Sequence, residues 1–221
     1  MEDFEKRNDE IIENVIGEQV EEDEYLEEQD KSSNWKRELW EWTKTIIYAL
    51  VISLVLKSYV LTLAKVDGQS MEPTLHHADR LYVNKLFYTP KKGDVVVVES
   101  NDPSAPFYIK RVIATEGDTL FINFATGDVY VNDEIIDEPY IAGNTRLVGS
   151  YIYDLILDNE FSRENPLVIG EDEVFVMGDN RNNSKDSREI GPIKAEDVVG
   201  HAVFRFWPLD NMGNTDYSFE E

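Results

Sequence analysis

Cysteine is absent from the 221 residues of this chain. Its absence excludes disulfide bonds and thiolate metal ligands, and it leaves the redox compartment undetermined. Histidine is also scarce: His76 and His77 are adjacent, and His201 lies far away. The run His-His-Ala-Asp can bind an adventitious ion, but a surface turn is the simpler interpretation, so we predict no metal site.

Positive charge is scarce as well, with 21 Lys and Arg residues against 45 Asp and Glu residues and a formal net charge of -24. A nucleic-acid-binding protein needs a basic surface for the phosphates, so we predict no nucleic-acid partner. Of the first 30 residues, 14 are acidic and only Lys6 and Arg7 are basic. Residues 1–38 are therefore predicted to form an acidic, disordered or weakly helical tail, and an arm that docks onto an unknown partner is the alternative.

One long apolar segment follows the tail. The twenty residues from Trp40 to Tyr59 would span about 30 Å as a helix, the thickness of the hydrocarbon layer of a bilayer, and residues 45–56 carry no charge. Trp40, Trp42 and Tyr59 stand where interfacial aromatic residues belong. We predict a transmembrane helix over residues 39–60, with a buried core helix as the alternative.

Basic residues flank both ends of this segment. The positive-inside rule favours a cytoplasmic N-terminus only slightly, and that orientation would place residues 61–221 outside the cytoplasm. The flanking residues are Lys31, Lys36, Arg37 and Lys44 on one side and Lys57, Lys65, Arg80 and Lys85 on the other.

Beyond residue 65 the pattern changes from helical to strand-like. Short segments rich in Val, Ile, Phe and Tyr are bounded by Gly-Asp, Asn-Asp or Pro. We predict a mainly β domain over residues 61–221, with antiparallel sheets or a barrel-like arrangement. "FATGDVY" is typical of a hairpin, and the weakly patterned residues 141–173 are predicted to be an insertion or a long loop. The predicted strands are RLYVNKLFY, DVVVVES, FYIKRVIA, TLFINF, DVYVND, EVFVMGD and VVGHAVFRFWPL.

A serine shortly after the apolar segment, Ser70 in "KVDGQSMEPTL", is a candidate nucleophile if a base can take its proton. The α/β-hydrolase motif G-x-S-x-G does not fit, because the second glycine is missing. A histidine base is poorly supported, since His76 and His77 follow too closely and nothing fixes His201 nearby. The S-x-x-K match that begins at Ser33 lies in the polar tail and is interpreted as chance.

Lysine is the remaining base. In "FYIKRVIA", Lys110 and Arg111 interrupt an otherwise apolar strand, and the alternation of side chains predicts that one of them faces an apolar interior. A desolvated lysine has a lowered pKa, and only its neutral amine can accept the serine proton. The alternative is that both long side chains reach solvent from an edge strand.

A third segment, "VFVMGDNRNNSKDSREIGP", carries more short polar side chains than a turn requires. Asx turns and helix caps account for some of them. A hydrogen-bonded network that positions a buried lysine would account for the others. The polar residues are Asp179, Asn180, Arg181, Ser184, Asp186, Ser187 and Arg188.

These three segments resemble those of type I signal peptidases, which are membrane-anchored serine proteases with a Ser-Lys dyad. "GQSMEPTL" is similar to the nucleophile motif of that family, "YIKRVIATEGD" to the motif with the base, and "GDNRNNSKDSR" to the highly specific last motif. The resemblance covers residues 57–207, and the spacing from Ser70 to Lys110 is typical of compact, Gram-positive-like members. It implies an endopeptidase that needs no cofactor and removes signal peptides from secretory preproteins after an Ala-x-Ala motif.

The resemblance also implies a role for each matching residue. Ser70 would be the nucleophile and Lys110 the general base, with Ser184 orienting the lysine amine. An ion pair between Asp179 and Arg111 would support this network. The other implied residues are Asp186 and Arg188 for support, and Val66, Met71, Leu75, Tyr108 and Ile109 for shallow pockets that accept small side chains.

The sequence departs from the family pattern at three places. Gly68 stands where some relatives have a serine hydroxyl in the oxyanion hole, so the donor would be the backbone N–H of Ser70, with that of Gly68 as a second candidate. "ATEGD" replaces Gly-x-Pro-Gly-Asp, and "NNS" replaces Asp-Asn-Ser. Two alternatives stay open: a self-cleaving, repressor-type Ser-Lys protease, and an inactive, membrane-tethered β-domain that binds or scaffolds.

Overall fold

The structure is a computed structural model, which describes residues 35, 37–54, 61–100, 102–103 and 105–217. By its internal contacts the chain divides into two units, Met1–Val55 and Leu56–Glu221. Residues 1–34, which make up most of the predicted acidic tail, lie outside the described part, as does Ser33 of the chance S-x-x-K match.

The described part of the first unit is one helix, α1, over residues 37–54. Its apolar side chains face outward, and Ile46, Leu50 and Ile52 are each more than half exposed. Within the described ranges, no helix combines the length and the apolar character needed to cross a bilayer. The end of the predicted span, residues 55–60, is not among the described residues.

The second unit is mainly β, as the alternating pattern predicts. Its strands are β1 (Leu61–Lys65), β2 (Arg80–Asn84), β3 (Val95–Glu99), β4 (Phe107–Thr115), β5 (Thr119–Asn123), β6 (Asp128–Val131), β7 (Glu134–Ile135), β8 (Leu167–Val168), β9 (Glu173–Met177), β10 (Ile193–Lys194), β11 (Val198–Trp207) and β12 (Gly213–Asn214). Its helices are α2 (Ser150–Leu157) and α3 (Ser187–Ile190), with short 3-10 turns at Ala195–Asp197 and Leu209–Asn211.

The strands form two sheets, and every recorded pairing is antiparallel. The larger sheet has the order β1-β2-β11-β3-β4-β9-β10, with β12 paired to β11, and the smaller sheet has the order β7-β6-β5-β8. The predicted hairpin joins β5 to β6, where Asn123 pairs with Asp128. Gly127 occupies the turn with a φ of +91°, a conformation that favours glycine.

Strand β4 is an inner strand of the larger sheet. It pairs with β3 from Phe107 to Arg111 and with β9 from Arg111 to Thr115. Lys110 and Arg111 are both buried, with only 3% and 1% of their surface exposed. The alternative of an edge strand from which both side chains reach solvent is therefore wrong, because strands lie on both sides of β4.

The prediction of an insertion or a long loop for residues 141–173 is wrong in part. This segment contains α2 and β8, and Ile152, Phe161 and Ile169 are buried in a core cluster with residues of β4, β5, β6 and β9. The helix has weak sequence signals, since it is 8 residues long, begins after Gly149 without a side-chain cap and has no acidic residue in its first turn.

We expect this segment to contribute to the stability of the β unit. Ile152→Ala removes a fully buried side chain and should lower the free energy of unfolding by about 2–5 kcal/mol. Leu157→Ala, in the same helix at a side chain that is 61% exposed, should change it by less than about 0.5 kcal/mol. Equilibrium urea unfolding of the full chain, followed by circular dichroism, measures both, and equal effects would contradict the role of α2 in the core.

Candidate active site

Ser70 lies in a loop that follows β1. The apolar side chains of this loop hold it in place. The two ends of the loop are joined by a backbone hydrogen bond, in which Val66 N donates to Asp79 O at 2.9 Å. Val66, Met71 and Leu75 are buried in one cluster with residues of β2, β3 and β11. The loop is therefore anchored on both sides of Ser70, which itself is partly exposed.

Ser70 and Lys110 are in direct contact, although 40 residues separate them. The Lys110 Nζ atom lies 2.9 Å from Ser70 Oγ, and it also donates a hydrogen bond to Ile109 O at 3.0 Å. The ring of Tyr108 lies on the same side, with its centroid 5.2 Å from Nζ. This geometry allows a neutral lysine amine to accept the hydroxyl proton of the serine.

Burial lowers the pKa of Lys110 from 10.5 to about 8, because the charged amine loses its hydration in this position. The carboxylates of Asp186 and Asp179 act in the opposite direction and raise it. The guanidinium of Arg188 lowers it further. Desolvation is the largest of these effects, so a substantial fraction of Lys110 is neutral near pH 8.

Arg111 and Asp179 form a buried ion pair with two parallel hydrogen bonds. Arg111 Nε donates to Asp179 Oδ1 at 2.9 Å, and Nη2 donates to Oδ2 at 2.8 Å. Arg111 Nη1 donates to Gly93 O at 2.7 Å and to Thr215 O at 3.2 Å. The guanidinium also lies 4.2 Å from the centroid of the Tyr140 ring, so it has an aromatic partner besides its hydrogen bonds.

Asp186 and Arg188 form a second buried pair beside the first. Arg188 donates from Nε and Nη2 to the two carboxylate oxygens of Asp186, both at 2.8 Å. Burial alone would raise the pKa of Asp186, but this ion pair and the N–H of Gly178 hold it below its usual value. Asp186 also caps α3, so the polar segment folds back onto the end of β9.

Ser184 packs close to the backbone of Ser70, and within the described residues no hydrogen bond joins its side chain to Ser70 or Lys110. Its Oγ atom is buried and makes no hydrogen bond of good geometry within the described residues, but it lies close enough to the carboxylate of Asp186 to help lower the pKa of that group. A β-carbon added to Gly178 would clash with this Oγ and with Ser70 O, so the three residues are packed closely. The orientation of the Lys110 amine by Ser184 stays a prediction, because no hydrogen bond joins the two side chains within the described residues.

The side chains predicted to line substrate pockets fall into two groups. Ile109 packs against the cluster that contains Val66, Met71 and Leu75, beneath the nucleophile loop. Tyr108 instead borders a groove of about 580 Å³, whose other residues include Val98, Glu99, Lys185, Ile190 and Ile193. A groove of about 710 Å³ between Gly170–Glu173 and Lys194–Glu196 contains none of the predicted site residues.

Gly68, the second candidate for an oxyanion donor, is already engaged. Its N–H donates to His77 Nδ1 at 3.4 Å, and its φ of +91° is one that glycine adopts readily. His77 in turn lies 3.2 Å from the carboxylate of Asp67 on the surface. The backbone N–H of Ser70 is thus the better placed donor of the two.

Several residues of the site had no individual role in the sequence analysis. Asn180 bonds to the nucleophile loop through its backbone N–H and its side-chain amide. The hydroxyl of Thr74 donates to Asp179 Oδ2 at 2.5 Å. Arg181 forms a buried ion pair with Glu138. The polar segment had singled out Asn180 and Arg181 without a role, and no sequence signal marked Thr74.

The third histidine belongs to a different cluster. His201 Nε2 lies 2.8 Å from Asp216 Oδ1 and 3.8 Å from Asp94 Oδ1, and its ring stacks on Tyr88. The side chains of His201, Asp94 and Asp216 are close enough together to share a metal ion. Burial lowers the pKa of His201, but the hydrogen bond to Asp216 and the negative charges of Asp216 and Asp94 together outweigh burial and raise the pKa. The carboxylate of Asp94 accepts from the hydroxyl of Tyr88 at 2.6 Å, and within the described residues no hydrogen bond joins this cluster to Ser70 or Lys110.

Comparison with known proteins places the chain in a family. The family model described as "Signal peptidase, peptidase S26" matches residues 39–207. The signal peptidase I S of Bacillus subtilis (strain 168) is 35% identical over 185 residues, which are 82% of this chain and 96% of that protein. The signal peptidase IB of Staphylococcus aureus is 37% identical over 183 residues, 80% of this chain and 94% of that one.

A crystal structure of a signal peptidase I from Enterococcus faecalis V583 aligns with 52% of this chain and 97% of its own, at 26% identity and a TM-score of 0.38. The family model spans most of the chain, and the curated relatives are matched over nearly their whole length. The chain belongs to the signal peptidase family, peptidase S26.

Proposed function

We propose that the chain is a membrane-bound endopeptidase that removes N-terminal signal peptides from secretory preproteins, with Ser70 as nucleophile and neutral Lys110 as general base. Family membership supports the activity. The distance of 2.9 Å between Lys110 Nζ and Ser70 Oγ, at a buried lysine with a lowered pKa, is the observation that carries the assignment of the dyad. Neither a repressor-type protease nor a scaffolding domain is favoured.

The mechanism follows from this geometry. The neutral amine of Lys110 takes the proton of Ser70 as Oγ attacks the scissile carbonyl, and the carbonyl oxygen becomes an oxyanion. When the intermediate collapses, the C–N bond breaks and the protonated Lys110 gives its proton to the leaving amine. Water then attacks the acyl-enzyme with Lys110 again as base, which releases the signal peptide and restores Ser70.

The supporting residues keep the charges around the dyad in balance. Asp179 and Asp186 each pair with their own arginine, so neither carboxylate is free to form an ion pair with Lys110. An ion pair with the lysine would stabilise its charged form and remove the base. We propose that Ser184 and these two pairs hold the amine in place, and that the apolar cluster beneath the loop favours small side chains next to the cleavage site.

The apolar segment supports a membrane location. Residues 39–60 would anchor the enzyme at the bilayer, with the acidic residues 1–38 in the cytoplasm and residues 61–221 on the other side. The signal peptide of a preprotein also has an apolar core that enters the bilayer. An anchored protease meets the scissile bond at the membrane surface, which explains why the nucleophile loop follows the apolar segment so closely in the sequence.

The assignment of the dyad predicts the activity of three variants. Ser70→Ala and Lys110→Ala should lower the rate of preprotein cleavage by more than about 10⁴-fold, since members of a catalytic unit are lost together. Lys110→Arg should be equally inactive, because arginine stays protonated. The assay is cleavage of a preprotein with an Ala-x-Ala site by the full chain in lipid vesicles.

Lys92→Arg is the matched control, since Lys92 is partly exposed and pairs with Asp118 at 3.5 Å. It should keep wild-type activity. Turnover by Lys110→Arg would refute the general base, and a wild type that leaves the preprotein intact would refute the proposed activity.

A second prediction concerns pH. Cleavage needs the neutral amine. Below the pKa of about 8 the rate should therefore rise tenfold with each unit of pH, and above this pKa it should level off. At pH 6 the rate should be about 100-fold below the plateau. Initial rates measured from pH 5.5 to 10, with circular dichroism to show that the fold persists, give the profile. A rate that is constant between pH 6 and 8 would exclude Lys110 as the titrating base.

A third prediction concerns topology. The full chain, with an epitope at each end, should stay in the membrane fraction of bacterial cells after an alkaline carbonate wash. Protease added outside spheroplasts should remove the C-terminal epitope and leave the N-terminal one, and detergent should expose both. Extraction by carbonate, or loss of the N-terminal epitope alone, would show that the proposed anchor or its orientation is wrong.

A further inference from the structure

We propose that Asn180 is a positioning residue for the oxyanion hole, because its side chain holds the peptide unit whose N–H would bind the oxyanion. The inference rests on the proposed function, in which Ser70 attacks a peptide carbonyl. Asn180 lies one residue after Asp179 and contacts neither Lys110 nor Ser70 Oγ through a recorded hydrogen bond. Its effect would therefore reach the reaction through the backbone of the nucleophile loop.

Two hydrogen bonds join Asn180 to that loop. Asn180 Nδ2 donates to Gln69 O at 3.1 Å, and the backbone N–H of Asn180 donates to Ser70 O at 3.0 Å. Thr74 Oγ1 adds a third bond from the same loop, to Asp179. The carbonyl groups on both sides of the nucleophile are thus held by a single residue from the segment after β9.

The bond to Gln69 O matters because of the geometry of the peptide group. Gln69 C=O and Ser70 N–H belong to the same planar, trans peptide unit and point in opposite directions. A donor that fixes the direction of the carbonyl therefore fixes the direction of the N–H. Within the described part of the chain the Ser70 N–H donates no hydrogen bond, so it is available to a substrate oxygen.

The same bond also makes the N–H a stronger donor. A hydrogen bond to the carbonyl oxygen polarises the peptide unit, and chains of hydrogen bonds strengthen one another. Glu72 N donates to Gln69 O as well, at 3.2 Å, but this bond comes from within the loop and moves with it. Among the residues that the structure describes, Asn180 alone ties the peptide unit to a separate part of the fold.

Asn180 itself has a rigid attachment. Asp179, its neighbour, is bound by Arg111 through two hydrogen bonds, and Asp179 O accepts from Ala142 N at 3.2 Å and from Arg181 N at 3.0 Å. The chain cannot shift at Asn180 without breaking this arrangement. An oxyanion donor gains its effect from being held in place before the reaction, and this attachment provides that.

The experiment compares Asn180→Ala and Asn180→Asp with wild type in the preprotein assay. Both remove the donor to Gln69 O and keep the backbone N–H to Ser70 O, and the aspartate also places a carboxylate against the carbonyl. We expect kcat to fall by about 10–100-fold, somewhat less than the loss of an oxyanion donor itself, with KM within about twofold of wild type. In Asn180→Ala the rising limb of the pH profile should not move, because this variant adds no charge near Lys110.

Asn182→Asp is the matched control. It makes the same chemical change two residues further on. The side chain there is exposed, and its amide donates a long hydrogen bond of 3.3 Å to Asn144 O. It should keep the wild-type kcat. The pair of aspartate variants therefore separates the position of the change from the added negative charge.

A second readout isolates the oxyanion. A peptide aldehyde that ends in alanine adds Ser70 Oγ to its carbonyl and forms a hemiacetal, whose oxygen occupies the oxyanion hole. The corresponding peptide alcohol binds without forming this adduct. Asn180→Ala should weaken aldehyde binding by the same factor as kcat and leave alcohol binding unchanged, since only the aldehyde resembles the transition state.

Each outcome decides the inference. Wild-type kcat in both Asn180 variants, a shifted pH profile in Asn180→Ala, or an equal loss of aldehyde and alcohol binding would overturn it, because the residue would then act on Lys110 or on substrate binding. Asn180→Asp, which has the size of the native side chain, decides the matter if Asn180→Ala unfolds at the assay temperature. An inactive wild type would refute the proposed function instead, so the two failures are distinguishable.

Discussion

The burial of one amine determines how the rest of the site is built. Lys110 can act as a base near neutral pH only where water does not stabilise its charge, and the inner strand β4 provides such a position. Folding carries a cost as a result. The fall of its pKa from 10.5 to about 8 corresponds to about 3 kcal/mol of lost stability below pH 8, which is recovered as the pH rises to about 10.5.

The two buried ion pairs limit the effect of nearby carboxylates on the pKa of Lys110. Carboxylates near an amine raise its pKa, and Asp179 and Asp186 both do so here. Because Arg111 and Arg188 each form two hydrogen bonds with these carboxylates, most of their negative charge is balanced within the pair. The carboxylates can then organise the backbone around the dyad without capturing the proton that Lys110 would exchange in the proposed mechanism.

The sequence predicted the β class, most strands and the segments that meet at the site, because alternation and short polar motifs are local signals. It missed α2, whose eight residues carry few helix signals. It also left Asn180 without a role and overlooked Thr74. Their partners, Gln69 O and Asp179, lie 111 and 105 residues away along the chain. Contacts of side chains with backbone carbonyls at such separations leave no pattern in a single sequence.

Arg111 shows why the base exists only in the folded chain. It bonds to Asp179, 68 residues away, and to Thr215 O, 104 residues away, so segments that are distant in the sequence meet at the residue next to Lys110. In an unfolded chain Lys110 is hydrated, and its pKa lies near 10.5, where the amine is almost wholly protonated at neutral pH. The proposed protease therefore gains its general base as a consequence of completing its long-range contacts. An incompletely folded chain contains both dyad residues but lacks the neutral lysine amine that the proposed reaction needs.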